Sequence, residues 1–254
     1  MELINVGKHN YIILTTQRTG SSMFMDTLNG YPDTEGHMEL FLDHKRSAPP
    51  LAGENSYPRY CEWIENKSAL RPFSVWRYLS GLYSRKASTG FKLMYSHVRN
   101  YPDSLPYLFF KRTKIIHLIR KNYLDIILSE KIAEMTGKSH TTDTSEENSN
   151  LIYLDPMLTL DRIKKLDSNT KNMRRIISAL FTCPSIEIYY EDILSDRFQT
   201  FEKVQSFLGI DQTAQQVESS LKKRQTKAKS EVISNYDEIS TILIDAGYSH
   251  LLDS

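Results

Sequence analysis

Cysteine is scarce in this sequence, and the scarcity excludes two kinds of protein. The two cysteines, Cys61 and Cys183, are too few for a disulfide framework. Neither has the spacing of a metal ligand, and the seven histidines form no HxH or HExxH pair. We therefore expect a protein that binds no metal and works in a reducing cytoplasm.

Long apolar runs and a surplus of charge are also absent. No apolar stretch approaches the roughly 18 residues of a transmembrane helix, and residues 1–10 lack the apolar core of a signal peptide. The formal net charge is only +1, so the chain lacks the basic character of nucleic-acid-binding proteins. We expect no nucleic-acid partner and no stable membrane insertion, and no pattern indicates an oligomeric state.

Among the residues present, one turn is the most informative. The apolar run Tyr11 to Leu14 leads into the polar turn TTQRTGSS, residues 15–22, and a helix-like segment follows. A strand, a tight turn and a helix N-terminus bring backbone N–H groups and the positive end of the helix dipole to one point, which suits an anion. Glycine allows close backbone approach, and hydroxyls and a guanidinium donate hydrogen bonds. The candidate phosphate ligands are Arg18, Thr19, Gly20, Ser21 and Ser22.

The turn lacks the residues that hold a nucleoside triphosphate. In the loop GxxxxGK[ST], two glycines, a lysine and a hydroxyl hold the phosphates and Mg²⁺. Here Thr15 takes the first glycine position and no lysine precedes Ser21. One glycine and one arginine suit a single terminal phosphate without a metal. A nucleotide kinase or NTPase is therefore one alternative, and a non-enzymatic polyanion-binding module is another.

The turn resembles the 5′-phosphosulfate loop of sulfotransferases that use PAPS (3′-phosphoadenosine-5′-phosphosulfate). Its RTGSS form is most similar to the RTGS[ST] loop of bacterial carbohydrate and small-molecule sulfotransferases. The resemblance implies a three-layer αβα fold of the P-loop-kinase-like type with a central parallel sheet. It also implies a bacterial source. The implied reaction transfers a sulfuryl group from PAPS to a hydroxyl or amine of a small-molecule or carbohydrate acceptor and releases PAP.

A second stretch resembles the 3′-phosphate motif of the same family, which has an arginine at a strand end and a serine on the next helix. The buried-strand run Lys114 to Ile119 ends in Arg120 and Lys121, and Ser129 lies on the helix that follows. Ligands of open α/β sheets sit beyond the carboxyl ends of the strands. Arg120 stands one residue farther from Ser129 than in the common pattern, and Lys121 has the common spacing. Either cation is therefore a candidate ligand.

The basic segment that begins at residue 222 is a weaker match. In the family, a basic segment near the C-terminus closes over the 3′-phosphoadenosine, and an Asn-Tyr-Asp-Glu sequence such as residues 235–238 follows it. The alternative is a solvated run of charge. The resemblance nominates Lys222, Lys223, Arg224 and Lys227 as further ligands.

The candidate base lies after the loop helix, where residues 34–41 read TEGHMELF. In similar bacterial carbohydrate sulfotransferases, a glutamate after a Gly-x-x spacing is the base, which nominates Glu39. His37 is a rival, because residues two apart on a strand point the same way, and His97 is a third candidate. The resemblance further implies that Arg18 contacts the 5′-phosphate and the transferring sulfuryl oxygens.

The remaining pattern alternates strands and helices, which predicts a parallel sheet covered on both faces. We expect one sulfotransferase domain over residues 1–254, with a flexible polar loop near 138–150. The aromatic residues of 57–83 either line an acceptor pocket or form core, and residues 189–192 have a structural role. Strands are predicted near 11–15, 34–38, 91–95, 114–119 and 185–190, and helices near 21–28, 57–67, 73–86, 123–136, 155–181, 197–208, 214–221 and 235–246.

Overall fold

The computed structural model describes most of the chain, which divides into two compact units. The first unit comprises Met1–Ile119 and Met173–Ser219, and the second comprises Arg120–Asn172 and Ser220–Ser254. The described residues are 9–32, 34–42, 57–65, 70–84, 88–136, 151–210 and 228–252. Within these stretches, no helix has the length and apolar character needed to cross a bilayer.

The first unit is built on a parallel five-stranded sheet. Its strands are β1 (Tyr11–Thr15), β2 (Thr34–His37), β3 (Ser88–Met94), β4 (Lys114–Ile119) and β5 (Ser185–Tyr189). Their order is β2-β3-β1-β4-β5. The apolar β1 is central and is buried along its whole length. All five strands agree with the prediction, except that β3 begins earlier because Ser88 and Thr89 pair with β2.

Helices cover both faces of this sheet. Alternate residues of β1 enter opposite apolar cores, so that Ile12 and Leu14 pack on one face and Tyr11 and Ile13 on the other. A central parallel sheet between two helical layers confirms the predicted αβα, P-loop-kinase-like fold class. In chain order the helices are α1 (Ser21–Asn29), α2 (Tyr60–Ile64), α3 (Arg71–Leu82), α4 (Tyr95–Asn100), α5 (Ser104–Lys111), α6 (Tyr123–Thr136), α7 (Pro156–Ala179), α8 (Tyr190–Ser195), α9 (Arg197–Leu208), α10 (Lys229–Val232) and α11 (Tyr236–Asp245).

The differences from the predicted helices concern short elements. Helices α4, α5, α8 and α10 are absent from the prediction, since their periodic apolar pattern is too short to detect. Helix α4 follows β3 without a turn, so Tyr95 begins a helix instead of ending a strand. The predicted helix near 214–221 and the predicted flexible loop near 138–150 lie outside the described residues.

The second unit has an apolar core of its own. It is formed by α6, the first part of α7 and α11, where Leu124, Ile163 and Ile239 are fully buried. An ion pair of 2.6 Å between Arg162 on α7 and Glu130 on α6 joins two of these helices. Packing within this unit therefore fixes α6, the helix that carries Ser129.

Candidate functional site

The predicted phosphate turn connects β1 to α1 and has the backbone of an anion site. Gly20 is the N-cap residue of α1 with φ 74°, and Arg18 also has a positive φ, 62°. The N–H of Phe24 donates to the carbonyl oxygen of Gly20 at 3.0 Å. The backbone N–H groups that precede Phe24 in the first turn have no acceptor within the helix. They therefore converge where a phosphate would accept their hydrogen bonds.

Gly20 is required by packing as well as by backbone conformation. A Cβ atom at residue 20 would lie 2.5 Å from Cε2 of Tyr190, the first residue of α8. The left-handed φ independently disfavours a side chain. The ring of Tyr190 is buried, so it supports the turn from behind, in agreement with the structural role predicted for residues 189–192.

Two buried threonines fix the turn to the sheet. The hydroxyls of Thr15 and Thr19 are 2.6 Å apart, and that of Thr15 donates to the carbonyl oxygen of Leu118 on β4 at 2.9 Å. The Thr19 hydroxyl also lies 3.0 Å from the carbonyl oxygen of Thr16. Because this hydroxyl is used within the turn, Thr19 offers a phosphate its backbone N–H.

Beside the turn, the candidate base Glu39 meets a lysine that the sequence prediction missed. The ammonium of Lys92 on β3 lies 3.0 Å from Oε1 of Glu39 and 3.4 Å from Oγ of Ser22. Lys92 is only 5% exposed, and a lysine that deep is rarely found without an anionic partner. One buried cation thus contacts both the predicted base and the phosphate turn. A lone lysine inside the buried strand FKLM was the signal available in the sequence.

His97 lies close to Glu39, and the hydrogen bond that its Nδ1 accepts determines which ring nitrogen carries its proton. Its Nδ1 accepts from the N–H of Met94 at 3.3 Å, and its Nε2 lies 3.9 Å from Oε2 of Glu39. A neutral imidazole whose Nδ1 accepts a hydrogen bond carries its proton on Nε2. In this tautomer of neutral His97, Nδ1 is already used as an acceptor and Nε2 carries the proton, which is the wrong form for a base.

His37 has contacts other than those expected for a base. Strand β2 ends at His37, so the alternation that placed it beside Glu39 does not extend that far. Its Nδ1 accepts from the N–H of Tyr57 at 3.4 Å, and its Nε2 is 3.3 Å from Glu35. As with His97, the proton of neutral His37 is on Nε2. These contacts favour Glu39 over both histidines as the candidate base.

In the second unit, two buried cations share one carboxylate. The guanidinium of Arg120 is 2.8 Å from Oδ2 of Asp125, and the ammonium of Lys229 is 3.5 Å from Oδ1. Arg120 and Lys229 are 8% and 4% exposed, whereas Lys121 is on the surface. Guanidinium and ammonium groups both bind phosphate in proteins, so this pair of cations suits such an anion. Ser129 is one turn after Asp125 on the same face of α6.

This cluster sharpens the choice between the predicted 3′-phosphate ligands. Burial and the contact with Asp125 distinguish Arg120 from the exposed Lys121. Lys229 was not singled out within the basic segment, because a run of similar cations does not show which one is buried. The other predicted cations of that segment, Lys222, Lys223, Arg224 and Lys227, lie outside the described residues.

Comparison with known proteins gives a family match over nearly the whole chain. A model described as a sulfotransferase domain matches residues 8–252. No curated protein shows a significant match. Among solved structures, a sulfotransferase from Alicyclobacillus acidocaldarius has a TM-score of 0.51 at 14% identity, over 97% of this chain and 96% of that one.

Two further solved structures are more distant. The sulfotransferase domain from the curacin biosynthetic pathway has a TM-score of 0.48 at 14% identity, over 94% of this chain and 98% of that one. A mouse sulfotransferase complexed with PAP has a TM-score of 0.44 at 14% identity, over 96% and 82%. The family match spans the phosphate turn, Glu39 and Arg120, and by that match the chain belongs to the sulfotransferase domain family.

Proposed function

We propose that the protein transfers a sulfuryl group from PAPS to a hydroxyl or amine of a small-molecule or carbohydrate acceptor and releases PAP. The observation that carries the proposal is the contact of Lys92 with both Glu39 and Ser22 of the turn. It joins a carboxylate able to accept a proton to a turn able to hold a phosphate. Family membership favours this reaction over the alternatives of a nucleotide kinase and a polyanion-binding module.

In this proposal, Glu39 is the general base. It takes the proton of the acceptor as the bond from the acceptor atom to sulfur forms and the bond from sulfur to the 5′-phosphate oxygen breaks. Lys92 and Arg18 stabilise the negative charge that develops on that phosphate oxygen, together with the N–H groups of the turn. His97 lies beside this carboxylate, with its Nε2 3.9 Å from Oε2 of Glu39.

The proposal assigns the ligands of the donor among the residues already described. Arg18, Gly20, Ser21 and Ser22, with the backbone of Thr19, hold the 5′-phosphosulfate in the proposal. Arg120 and Ser129 hold the 3′-phosphate, and the buried Lys229 joins them. The donor supplies an activated sulfuryl group, so the protein has mainly to align the reactants and stabilise charge. The lysines and arginine of the basic segment, and the surface cation Lys121, stay predictions.

Ligand binding separates the proposed function from its alternatives. We expect titration calorimetry to show that PAP binds without Mg²⁺ and more tightly than ATP. Radiolabelled PAPS should then label one member of a panel of sugars, glycolipids and small phenols or amines. Binding of ATP that needs Mg²⁺, with no response to PAP, would contradict the proposal, and so would binding of heparin alone.

Several expectations remain predictions within this proposal. They are a bacterial source, a cytoplasmic location, the absence of a metal, and the action of residues 1–254 as one sulfotransferase domain. The choice between O- and N-sulfation depends on the acceptor, which the transfer panel identifies directly.

A further inference from the structure

The outer surface of helices α3 and α5 exposes several large apolar side chains. The sequence left two alternatives for the aromatic residues of 57–83, an acceptor pocket or the core. In the structure some of them are in the core and others are exposed. Trp63 and Tyr78 pack with the apolar core of the first unit, but Phe73 and Trp76 of the same segment face outward. We name the aromatic-basic face by its exposed members: Leu70, Phe73, Trp76, Phe110, Phe181, Arg77, Lys111 and Arg112.

The apolar residues of this face form a connected row. Phe73 precedes Trp76 by one helical turn, and the Trp76 ring centroid is 6.1 Å from that of Phe110. Phe109 continues the row, with ring centroids 5.5 Å from Phe110 and 5.2 Å from Phe181. Contiguous exposed aromatic surface is unusual on a globular domain and marks an interaction site.

The side chains of this row protrude instead of lining a groove. Phe73 is 72% exposed, Phe110 69% and Phe181 80%. A protruding phenyl ring can enter a fluid apolar phase without a matching pocket. Trp76, at 38% exposed, lies lower on the face, as expected of a tryptophan at the boundary between hydrocarbon and headgroups.

The charges on this face have one sign. Neither Arg71–Leu82 nor Ser104–Lys111 contains an aspartate or glutamate. Arg77 and Lys111 are exposed beside the aromatic row, and Arg112 follows α5 with its own side chain exposed. Arg71 pairs with Asp103 at 2.6 Å, so Arg71 adds little to the positive charge of this face.

We propose that the aromatic-basic face docks the protein on an anionic membrane surface. The phenyl rings insert into the boundary between headgroups and acyl chains, and the cations contact anionic headgroups. A second copy of this chain fits the face poorly, because a two-fold interface would bury Arg77, Lys111 and Arg112 of both copies where α3 and α5 offer no carboxylate to pair with them. This inference does not depend on the sulfotransferase reaction.

Vesicle binding tests the proposal directly. Cosedimentation is measured with vesicles of phosphatidylcholine alone and of phosphatidylcholine with phosphatidylglycerol, at low and high salt. We expect binding to the anionic vesicles that salt weakens. Phe73→Ser and Phe110→Ser should each lower partition about tenfold, whereas Phe198→Ser, at an exposed position on α9, should leave it unchanged.

Charge and fluorescence provide two independent readouts. Lys111→Glu should lower partition roughly thirtyfold, from the loss of one cation and the gain of one anion, and Lys203→Glu on the exposed side of α9 is its control. The chain has two tryptophans, so a Trp63→Phe variant leaves Trp76 as the only reporter. Its emission should shift to shorter wavelength on binding.

Four outcomes would overturn the proposal. They are no binding to anionic vesicles, binding that the phenylalanine variants leave intact, binding that the α9 control variants weaken equally, and an unshifted Trp76 emission. A dimer in light scattering that Phe110→Ser dissociates would assign the face to a second copy instead. Thermal melting of each variant confirms that the fold persists, as expected for exposed positions.

Discussion

Two polar clusters lie on opposite faces of the central sheet. They differ in whether the charged groups contact the phosphate turn or only one another. On one face, Lys92 lies between the Glu39 carboxylate and the phosphate turn. On the other face, the buried His117 of β4 joins Tyr95 to Glu187, with Nε2 2.6 Å from the tyrosine oxygen and Nδ1 3.1 Å from Oε1 of Glu187. The second cluster continues to the protein surface.

The His117 cluster is a closed chain of hydrogen bonds. Arg174 donates to both oxygens of Glu187 at 2.8 and 3.0 Å, and Tyr189 donates at 2.9 Å. Burial would raise the pKa of Glu187, but the hydrogen bonds from Arg174 and Tyr189 outweigh it and lower this pKa to about 2. Burial lowers the pKa of His117, against the opposing effect of Glu187.

The comparison teaches that a perturbed pKa does not by itself mark the reactive site. Shifted groups often occur at functional sites, but structural networks shift them too. In the His117 cluster every ring nitrogen and carboxylate oxygen is engaged by a neighbouring side chain, so the cluster holds strands and α7 in place. The Lys92 cluster joins the turn and carries the proposed chemistry.

The strongest test of this contrast exchanges one carboxylate on each face. Glu39→Gln should lower turnover about 10²- to 10⁴-fold, because it removes the proton acceptor, while PAP binding persists. Glu187→Gln is the matched control and should retain most turnover while lowering stability by up to about 1 kcal/mol, since its ion pair is partly exposed. Steady-state assays and calorimetry measure both. Normal turnover in Glu39→Gln would show that another group is the base.

The next largest effect concerns the buried cations of the second unit. Arg120→Met and Lys229→Met should each weaken PAP binding about tenfold to a hundredfold, by loss of a charge-assisted hydrogen bond to phosphate. Lys121→Met, on the surface, should change it little. Titration of PAP against each variant measures the effect. Equal losses for Lys121→Met and Arg120→Met would contradict the assignment based on burial.

A smaller effect is expected from the glycine of the turn. Gly20→Ala combines a left-handed φ with a contact of 2.5 Å to Tyr190, so it should destabilise the fold by about 1–3 kcal/mol. Denaturant unfolding measures the loss. The double variant Gly20→Ala/Tyr190→Leu should cost less than the sum of the two single changes, because it removes the contact. Full additivity would show that the ring does not press on residue 20.

The smallest expected effect is a pH dependence of the free energy of unfolding that arises from His117. The pKa of His117 lies below the 6.5 of an ordinary histidine, so the unfolded chain takes up the proton first as pH falls. Stability should therefore decline as pH drops from 6.5 through the lower folded-state pKa, and it should not change from this source above 6.5. Denaturant unfolding of His117→Gln at a series of pH values should not show that part of the decline in stability. An unchanged slope would assign the decline to other groups.

At lower pH, the carboxylate of Glu187 in the same cluster should cause a second decline in stability. Since the pKa of Glu187 is lowered from 4.5 to about 2, its stabilising contribution is present above 4.5 and is lost as pH falls towards 2. Glu187→Gln should remove this second decline. The two variants thus separate the histidine and carboxylate contributions by the pH at which each acts.

Local patterns predicted the sheet and the phosphate turn, because both depend on residues adjacent in the chain. The apolar runs of β1 and β4 and the glycine at the start of α1 are visible in any short window of sequence. Lys92 could not be assigned in this way. Its partners, Glu39 and Ser22, come from two other parts of the chain, and only the folded sheet brings the three together.

The same reasoning explains the choice among the histidines and cations. Their positions in the sequence made His37 and His97 candidates, but the hydrogen bond that each Nδ1 accepts is a property of the fold. Arg120 and Lys121 are neighbours in sequence, and burial and the contact with Asp125 distinguish them. Sequence therefore nominated the types of residue, and tertiary contacts selected among them.

The central place of β1 has a consequence for synthesis on the ribosome. Of the five strands this one is synthesised first, yet its partners are β3 and β4, with Tyr11 opposite Gly90 and Lys114. Until residue 119 has left the exit tunnel, the apolar strand Tyr11–Thr15 cannot pair with both of its neighbouring strands. Closing such long loops before any pairing is slow and leaves apolar segments exposed. Nascent chains that end before β4 should therefore depend on chaperones, and those that include it should begin to resist proteolysis.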